Sequence, residues 1–368
     1  MASFKIHLLL LFTLPALSAG AAQAATITVD AGGVCSLADA ITAANTDTAA
    51  GGCAAGSGAD AIILEMDITL AAALPEITST VIIEGGGHKI DGNSLAPALF
   101  KGNSSGAVLR IAISGVLTLN KAVITGGRAA CYCGSNGIIS SGGGIYNEGQ
   151  LSVNNSTVSG NAADGIHTNM GSLTVSNTTI SESKPSAVCM IAGCEGVGSG
   201  GGGIYVSGGG IAILRSSIVS GNFGREILIW EGTIIADSHN VFGHSDKSNE
   251  DAFYGFTPGS KDITATSDGT KPTALASILS PLAANGVHAL VAGSPAIDAD
   301  MTCSTNLTTD QQGHPRPVGL GCDAGAVEYN PSNTDSDSDG LADAARSLLT
   351  LTKRTRTAME RVIFATMI

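Results

Sequence analysis

Apolar and polar positions alternate in short runs through the middle of the chain, and the runs recur as near copies. They read GVLTLNKAVITGG from Gly115, GQLSVNNSTVSGN from Gly149, GSLTVSNTTISES from Gly171, IAILRSSIVSGN from Ile211 and TIIADSHNVFGH from Thr233. Within a copy the apolar residues fall two apart, as Leu151 and Val153 do, and a further one, Val158, follows a polar turn. A period of two is that of a strand, whereas a helix buries every third or fourth residue. With Leu117, Leu151, Leu173, Ala212 and Ile234 as equivalent positions, the steps are 34, 22, 39 and 22 residues, so the basic coil has 22. Self-similarity at that period predicts a solenoid whose units pack mainly on their neighbours. The missing leucine framework excludes a leucine-rich horseshoe, and the Gly, Ser, Thr and Asn content excludes helical repeats. What fits is an all-β chain wound as a right-handed parallel β-helix, with Gly160-Asn161 and Gly221-Asn222 at sharp turns through the left-handed region.

The two long steps carry 12 and 17 residues beyond 22, so loops are expected near 128–141 and 184–199. Both leave eleven residues after their reference position, Leu117 or Leu173. Strands stack about 4.8 Å apart and these coils are two apart, which puts the loop bases about 10 Å from each other on one wall.

The flanking segments read as caps. Leu37, Ala40, Ile41 and Ala44 fall at helical spacing behind Ser36, an N-cap with Asp39 three residues on. A short N-terminal capping helix there would cover strand edges that otherwise invite aggregation. Strand-like runs at Ala61–Leu70 and Val81–Glu84 begin the coils. The expected organisation is a leader over 1–24, an N-terminal cap over 25–60, coils over 61–245, C-terminal coils and cap over 246–330, an acidic calcium-loop-like linker over 331–345 and a basic tail over 346–368.

Composition narrows the class. Of 368 residues 43% are hydrophobic but only 4% aromatic, and 49 are glycine, so the core must be built from Val, Ile, Leu and Ala between many tight turns. A formal charge of −13 argues against nucleic acid as a partner. Lys5, the apolar run from Leu8 to Leu17 and the small residues through Ala24 have the three-part layout of a secretory signal, with cleavage expected after Ala22-Gln23-Ala24. Pro15, Ser18 and Gly20 break the run, so no transmembrane span is expected in the mature chain. In an exported chain eight cysteines suggest disulfides. By position they group as Cys35 with Cys53, Cys303 with Cys322, and an inner set, Cys131, Cys133, Cys189 and Cys194, lying in the two loops. The inner pairing stays open between bonds across the loops and a bond from Cys189 to Cys194. A zinc site is the alternative for that set, although its spacing fits zinc knuckles poorly.

CSLADAITAAN near the start, with SPLAANG, HALVAGSPAIDA, TDQQGHPRP and CDAGAVE near the end, resembles a family of exported bacterial β-helix surface proteins. Their N-terminal motif is Cys-Ser-Leu-Arg-Glu-Ala, and their C-terminal region precedes a variable, choice-of-anchor attachment. The likeness covers about residues 26–328, with Ala38 and Asp39 in place of Arg-Glu, Asp300 in place of Gly and Gln312 in place of Arg. It implies an exported surface protein and brings no catalytic residues with it.

Candidate chemistry is sparse. β-Helix enzymes that cleave acidic polysaccharides use clustered aspartates beside His and Arg/Lys, or calcium-binding carboxylates with a basic proton acceptor; neither cluster is visible. Glu148 and Glu231 share a phase, but three coils separate them by about 14 Å, beyond the roughly 5 to 9.5 Å of a glycosidase pair. They read instead as solvated turn residues. Arg128 and Lys184, at the loop bases, are placed to grip an anionic glycan or, if desolvated, to act as a base; the alternative is two exposed charges. Tyr146 and Tyr205 each close a GGGIY phrase, where they could stack on sugar rings or simply finish a coil turn. His88, His167, His239 and His244 show no metal spacing. Asp335, Asp337, Asp339, Gly340 and Asp343 have the order of a calcium loop and resemble one thrombospondin type 3 repeat. Arg346 holds the twelfth position, usually Glu, which should weaken Ca²⁺ binding; a flexible acidic linker is the alternative. The expected function is a non-catalytic, adhesin-like protein that binds a glycan or a cell surface, with a polysaccharide lyase or glycoside hydrolase as the alternative and a passive surface spacer as a third.

Overall fold

The computed structural model describes residues 24–94, 106–128, 131–134, 137–140, 142–184, 202–236, 238–243, 247–264 and 275–330, with the backbone alone for 131–134 and 137–140. Three parallel sheets run along it. The first wall stacks Thr26–Val29, Asp60–Leu64, Thr80–Glu84, Val116–Asn120, Gln150–Asn154, Ser172–Ser176, Gly210–Arg215 and Gly232–Ile235. The second stacks Leu109–Ile111, Ile145–Asn147, Ile166–Asn169, Ile204–Ser207, Ile227–Ile229 and Phe253–Tyr254. The third runs from Ile68–Thr69 through Lys89–Asp91, Val123–Thr125, Thr157–Ser159, Thr179–Ser181, Ile218–Ser220 and Val241–Gly243 to Ile263–Thr264. From Leu109 on, the chain visits second, first and third wall in turn before climbing one rung. The fold is a parallel β-helix.

Leu117, Leu151, Leu173, Ala212 and Ile234 pair directly in the first wall, so the 22-residue coil is the structural unit. Val81 and Asp60 extend the same column toward the N-terminus. Alternate residues turn inward: Leu117, Leu119, Leu151, Val153, Leu173 and Val175 are all buried.

Two corners turn the coil. Between first and third wall, Lys121, Asn155, Asn177, Ser216 and His239 each take a positive φ, 44 to 59°. The next residue in each coil is polar after the first, and its side chain ties rungs together. Ser156 Oγ accepts from Ala122 N, Thr178 Oγ1 from Ser156 N, Ser217 Oγ from Thr178 N and Asn240 Oδ1 from Ser217 N. Backbone donors that no strand partner reaches are thereby satisfied. At the other corner Gly160 and Gly221 sit at φ 68° and 76°, where a Cβ would be strained, and the asparagines after them face inward.

A helix, α1, spans Leu37–Thr46 between the first two strands of the first wall; Ser36 Oγ caps it by accepting from Asp39 N at 3.1 Å. Its apolar face (Leu37, Ala40, Ile41, Ala44) joins the main core, and Cys35 is bonded to Cys53 beside it. Thr26–Val29, inside the segment read as a cap, is already a coil strand paired with Asp60–Leu64. Among the described residues no helix is long and apolar enough to cross a membrane.

The C-terminal block differs more. Within the stretch read as C-terminal coils and cap, 246–330, Phe253–Tyr254 and Ile263–Thr264 are coil strands, and residues 275–330 lie along the third wall, with Cys303 bonded to Cys322. Gln311 Oε1 accepts from Thr157 Oγ1 at 2.6 Å, His288 Nε2 meets Ser159 Oγ at 2.9 Å, Asp300 Oδ2 accepts from Ser216 Oγ at 2.8 Å and Ala326 N donates to Thr179 Oγ1 at 3.0 Å. Thr157, Ser159, Ser181 and Ser220 point outward from that wall, yet all are buried. A sheet face of hydroxyls and small apolar groups can be covered by a chain that offers matching polar groups, which the strand pattern alone does not reveal. Inside the block, Arg316 bonds Glu328 at 3.0 Å with both side chains fully buried.

Candidate ligand-binding wall

With the third wall covered, the first and second walls keep exposed outward faces, and it is the second that carries Tyr146, His167, Tyr205, Trp230 and Tyr254. Its outward positions form two columns. Register pairs Arg110, Tyr146, His167, Tyr205, Leu228 and Tyr254 in one, a span of about 24 Å at 4.8 Å per rung. Beside it, past one inward residue, lie Glu148, Asn169, Ser207 and Trp230.

The N-terminal half of the wall is a closed polar and aromatic network. The Arg110 guanidinium lies over the Tyr146 ring at 4.6 Å and pairs with Glu76 at 2.7 Å and Glu148 at 3.1 Å. Tyr146 donates to Glu148 Oε1 at 3.2 Å and accepts from Asn169 Nδ2 at 3.2 Å. His167 meets Tyr146 edge to face at 5.2 Å, stacks on Tyr205 at 4.3 Å and bonds Ser207 Oγ at 2.9 Å. Burial first, then the Glu148 charge, holds the Tyr146 phenol above the ordinary tyrosine range; burial, Asp164 and Glu231 do the same to Tyr205. Both hydroxyls are therefore neutral donors at physiological pH.

The C-terminal half is open. Trp230 is 63% and Tyr254 45% exposed, their rings nearly parallel at 6.1 Å, and Arg225 lies over Tyr254 at 5.4 Å while donating to the carbonyls of Glu250, Asp251 and Phe253. Exposed aromatic faces are costly to hydrate and are a usual element of binding surfaces.

The loop bases border this wall. Arg128, Ala162 and Lys184 bridge in successive rungs, so both loops do leave from one line, two strand spacings apart, just before the chain enters the second wall. Arg128 is half-buried and Lys184 exposed. Asn161 and Asn222 hold the corner: Asn161 accepts from Gly127 N at 3.0 Å and donates to Ile124 O at 3.1 Å, and Asn222 accepts from Ser183 N at 3.0 Å. Two buried carboxyls share the corner. Burial pushes Asp164 up to about 7 against one hydrogen bond from Gly202 N, and it pushes Glu226 up to about 8 against donors from Asn222 and Gly221 and the charge of Lys247. The Lys247 ammonium is held by the carbonyls of Asn222, Phe223 and Gly224.

Several expectations change here. Tyr146 and Tyr205 do share one column, with the 4%-exposed His167 between them, edge to face with Tyr146 and stacked on one face of Tyr205. Glu148 is no solvated turn residue: it is fixed by Arg110, Tyr146 and Asn169, while Glu231 remains exposed. Of the missed residues, Arg110, His167, Asn169, Trp230 and Tyr254, His167 had a signal, as the residue after the isoleucine of Gly-Ile-Tyr, Gly-Ile-His and Gly-Ile-Tyr at 144–146, 165–167 and 203–205. Counting from the first wall hid it, because Tyr146, His167 and Tyr205 stand five, six and seven residues before their reference positions. Asp335, Asp337, Asp339 and Asp343, residues 1–23 of the leader, the basic tail, and the side chains of Cys131, Cys133, Cys189 and Cys194 lie outside the described residues.

No protein-family profile matches the chain, and no curated protein matches it either. A solved structure titled as pectate lyase Pel9A is similar at 11% identity over 80% of this chain and 91% of that one, with a TM-score of 0.29. That likeness is too loose to bear on either fold or activity; the fold rests on the strand registers.

Proposed function

We propose that this is an exported or cell-surface β-helix that binds glycan without cleaving it, the ligand lying along the second wall. The observation that carries the reading is the pair of outward columns, in which exposed Trp230 and Tyr254 continue a line of planar polar groups over several rungs. Sugars present C–H faces that pack on aromatic rings and hydroxyls that pair with Asn, Glu and Tyr side chains. Arg110, the cation of these columns, is already paired with two carboxylates, which favours an uncharged glycan. A polyanion would have to be gripped from the corner by Arg128 and Lys184. Export is supported by the N-terminal leader layout and by the disulfides Cys35–Cys53 and Cys303–Cys322, which persist in oxidising compartments. Bound Ca²⁺ at Asp335–Asp343 and a surface anchor belong to the same proposal and rest on sequence alone.

Affinity electrophoresis through a panel of neutral and acidic polysaccharides tests it. The wild type should be retarded by at least one neutral polymer, and Trp230→Ala with Tyr254→Ala should lower the affinity about tenfold or more while the far-ultraviolet spectrum stays unchanged. New reducing or unsaturated ends after prolonged incubation would overturn the non-catalytic reading, and retardation by none of the polymers would overturn the binding reading.

A further inference from the structure

The inward column of the first wall reads Asp60, Val81, Leu117, Leu151, Leu173, Ala212, Ile234, and its first member is a carboxylate in a place where every later coil puts an apolar side chain. Asp60 has no exposed surface. Its Oδ1 accepts from Ser57 N at 2.7 Å and from Ala25 N at 3.1 Å, whereas Oδ2 is buried with no hydrogen-bond partner among the described residues. The chamber is tight: a Cβ on Gly56 would lie 2.4 Å from Oδ2 and 2.7 Å from the carbonyl of Ala43 in α1. A carboxylate left half-satisfied in such a place is a standing penalty on the fold, unless a cation joins it.

The backbone atom nearest to being that cation is the nitrogen of Ala25. Ala25 is the residue that follows the Ala22-Gln23-Ala24 cleavage pattern, and Ala24 is exposed. The sheet holds Ala25 in place, since Ala61 N donates to Ala25 O at 2.8 Å and Thr26–Val29 then pairs with Ala61–Leu64. As long as Ala24 is attached, the nitrogen is an amide with one hydrogen and no charge. Hydrolysis breaks the Ala24–Ala25 C–N bond: water supplies the hydroxyl to the Ala24 carboxyl and a proton to the nitrogen, which takes up another from solvent to become an ammonium with three donors.

We propose that leader removal by a signal peptidase occurs between Ala24 and Ala25, and that the freed α-ammonium group of Ala25 becomes the buried counter-ion of Asp60, supplying the donor that Oδ2 lacks. Processing then does more than release the chain. It completes the first coil, and the mature protein is more stable than the same chain carrying even a short extension.

Two measurements test this on the full-length protein. The intact mass of the exported protein should place its first residue at Ala25; any other first residue overturns the proposal. Chains beginning at Ala25 and at Gln23 are then compared in urea, each with Asp60 and with Asp60→Asn. The substitution should raise the unfolding equilibrium constant at least about tenfold more in the chain that begins at Ala25 than in the extended one. An equal effect in both backgrounds overturns it. If Asp60→Asn prevents folding, the wild-type amine decides: acetic anhydride should label the Ala25 amine at least about tenfold more slowly in the folded protein than in urea. Equal rates overturn the ion pair.

Discussion

Asn161 is the side chain on which the geometry of the loop-bearing corner depends, and Asn161→Ala should show it. The residue is 1% exposed and makes three hydrogen bonds: it accepts from Gly127 N at 3.0 Å, and it donates to Ile124 O at 3.1 Å and Ser159 O at 3.3 Å. Two of those bonds reach the rung below, next to Arg128, where the first loop leaves. Truncation strands the Gly127 N–H at about 1–3 kcal/mol and removes two carbonyl bonds at about 0.5–1 kcal/mol each, so a loss of about 2–5 kcal/mol is expected. That is a large part of an ordinary domain's stability of about 5–15 kcal/mol. Urea denaturation at fixed pH measures the loss, and Thr174→Ala, half-exposed on the outward face of the first wall, should change stability by less than about 0.5 kcal/mol. Hydrogen exchange adds a local readout, because the Gly127 amide should lose protection before its neighbours on Val123–Thr125 do. A variant within about 0.5 kcal/mol of wild type, with Gly127 still protected, would refute the claim that this asparagine locks successive coils.

Other expected outcomes follow from single features. The Glu226 carboxyl keeps its proton to about pH 8 in the folded chain against an ordinary 4.5, so the unfolded chain binds fewer protons between those values and stability falls as pH rises through that window. Glu226→Gln should remove this slope, and urea midpoints whose wild-type-to-variant difference is the same at both ends of the window would contradict it. Replacing Cys303 and Cys322 by alanine opens a loop with a sequence separation of 19 and should cost about 3 kcal/mol, with early hydrogen exchange in residues 275–330; an unchanged thermal midpoint would count against a stabilising clasp. Leu151→Ala, in the middle of the inward column, should cost about 2–5 kcal/mol, whereas Gln150→Ala beside it on the exposed side should cost less than about 0.5 kcal/mol, and equal costs would mean the register is misread.

What was legible in the chain was whatever repeats. Alternation of apolar residues specified strands, the 22-residue step specified the coil, and five equivalent positions became one physical column. Ser36 and Asp39 announced α1, and Gly160-Asn161 announced a left-handed corner, because caps and turns are local chemistry. The common phase of the two stretched steps was legible too, since it needs only counting: Arg128 and Lys184 flank Ala162 at the corner.

The sequence by itself therefore determined a solenoid, its period, its inward residues and the edge at which the loops depart. Only the tertiary structure decided which wall is open and which side chains meet on it. The C-terminal block carries no repeat, so nothing in its own pattern says that it covers the third wall; that follows from hydroxyls on one segment finding partners more than a hundred residues away, as Thr157 finds Gln311. The Arg110–Tyr146–His167–Tyr205 column likewise exists only because rungs of unequal corner length stack in register. Asp60 shows the same division. Its place in the chain marks it as the start of a strand, but the contact of its buried carboxylate with the nitrogen of Ala25, 35 residues earlier, is made by folding.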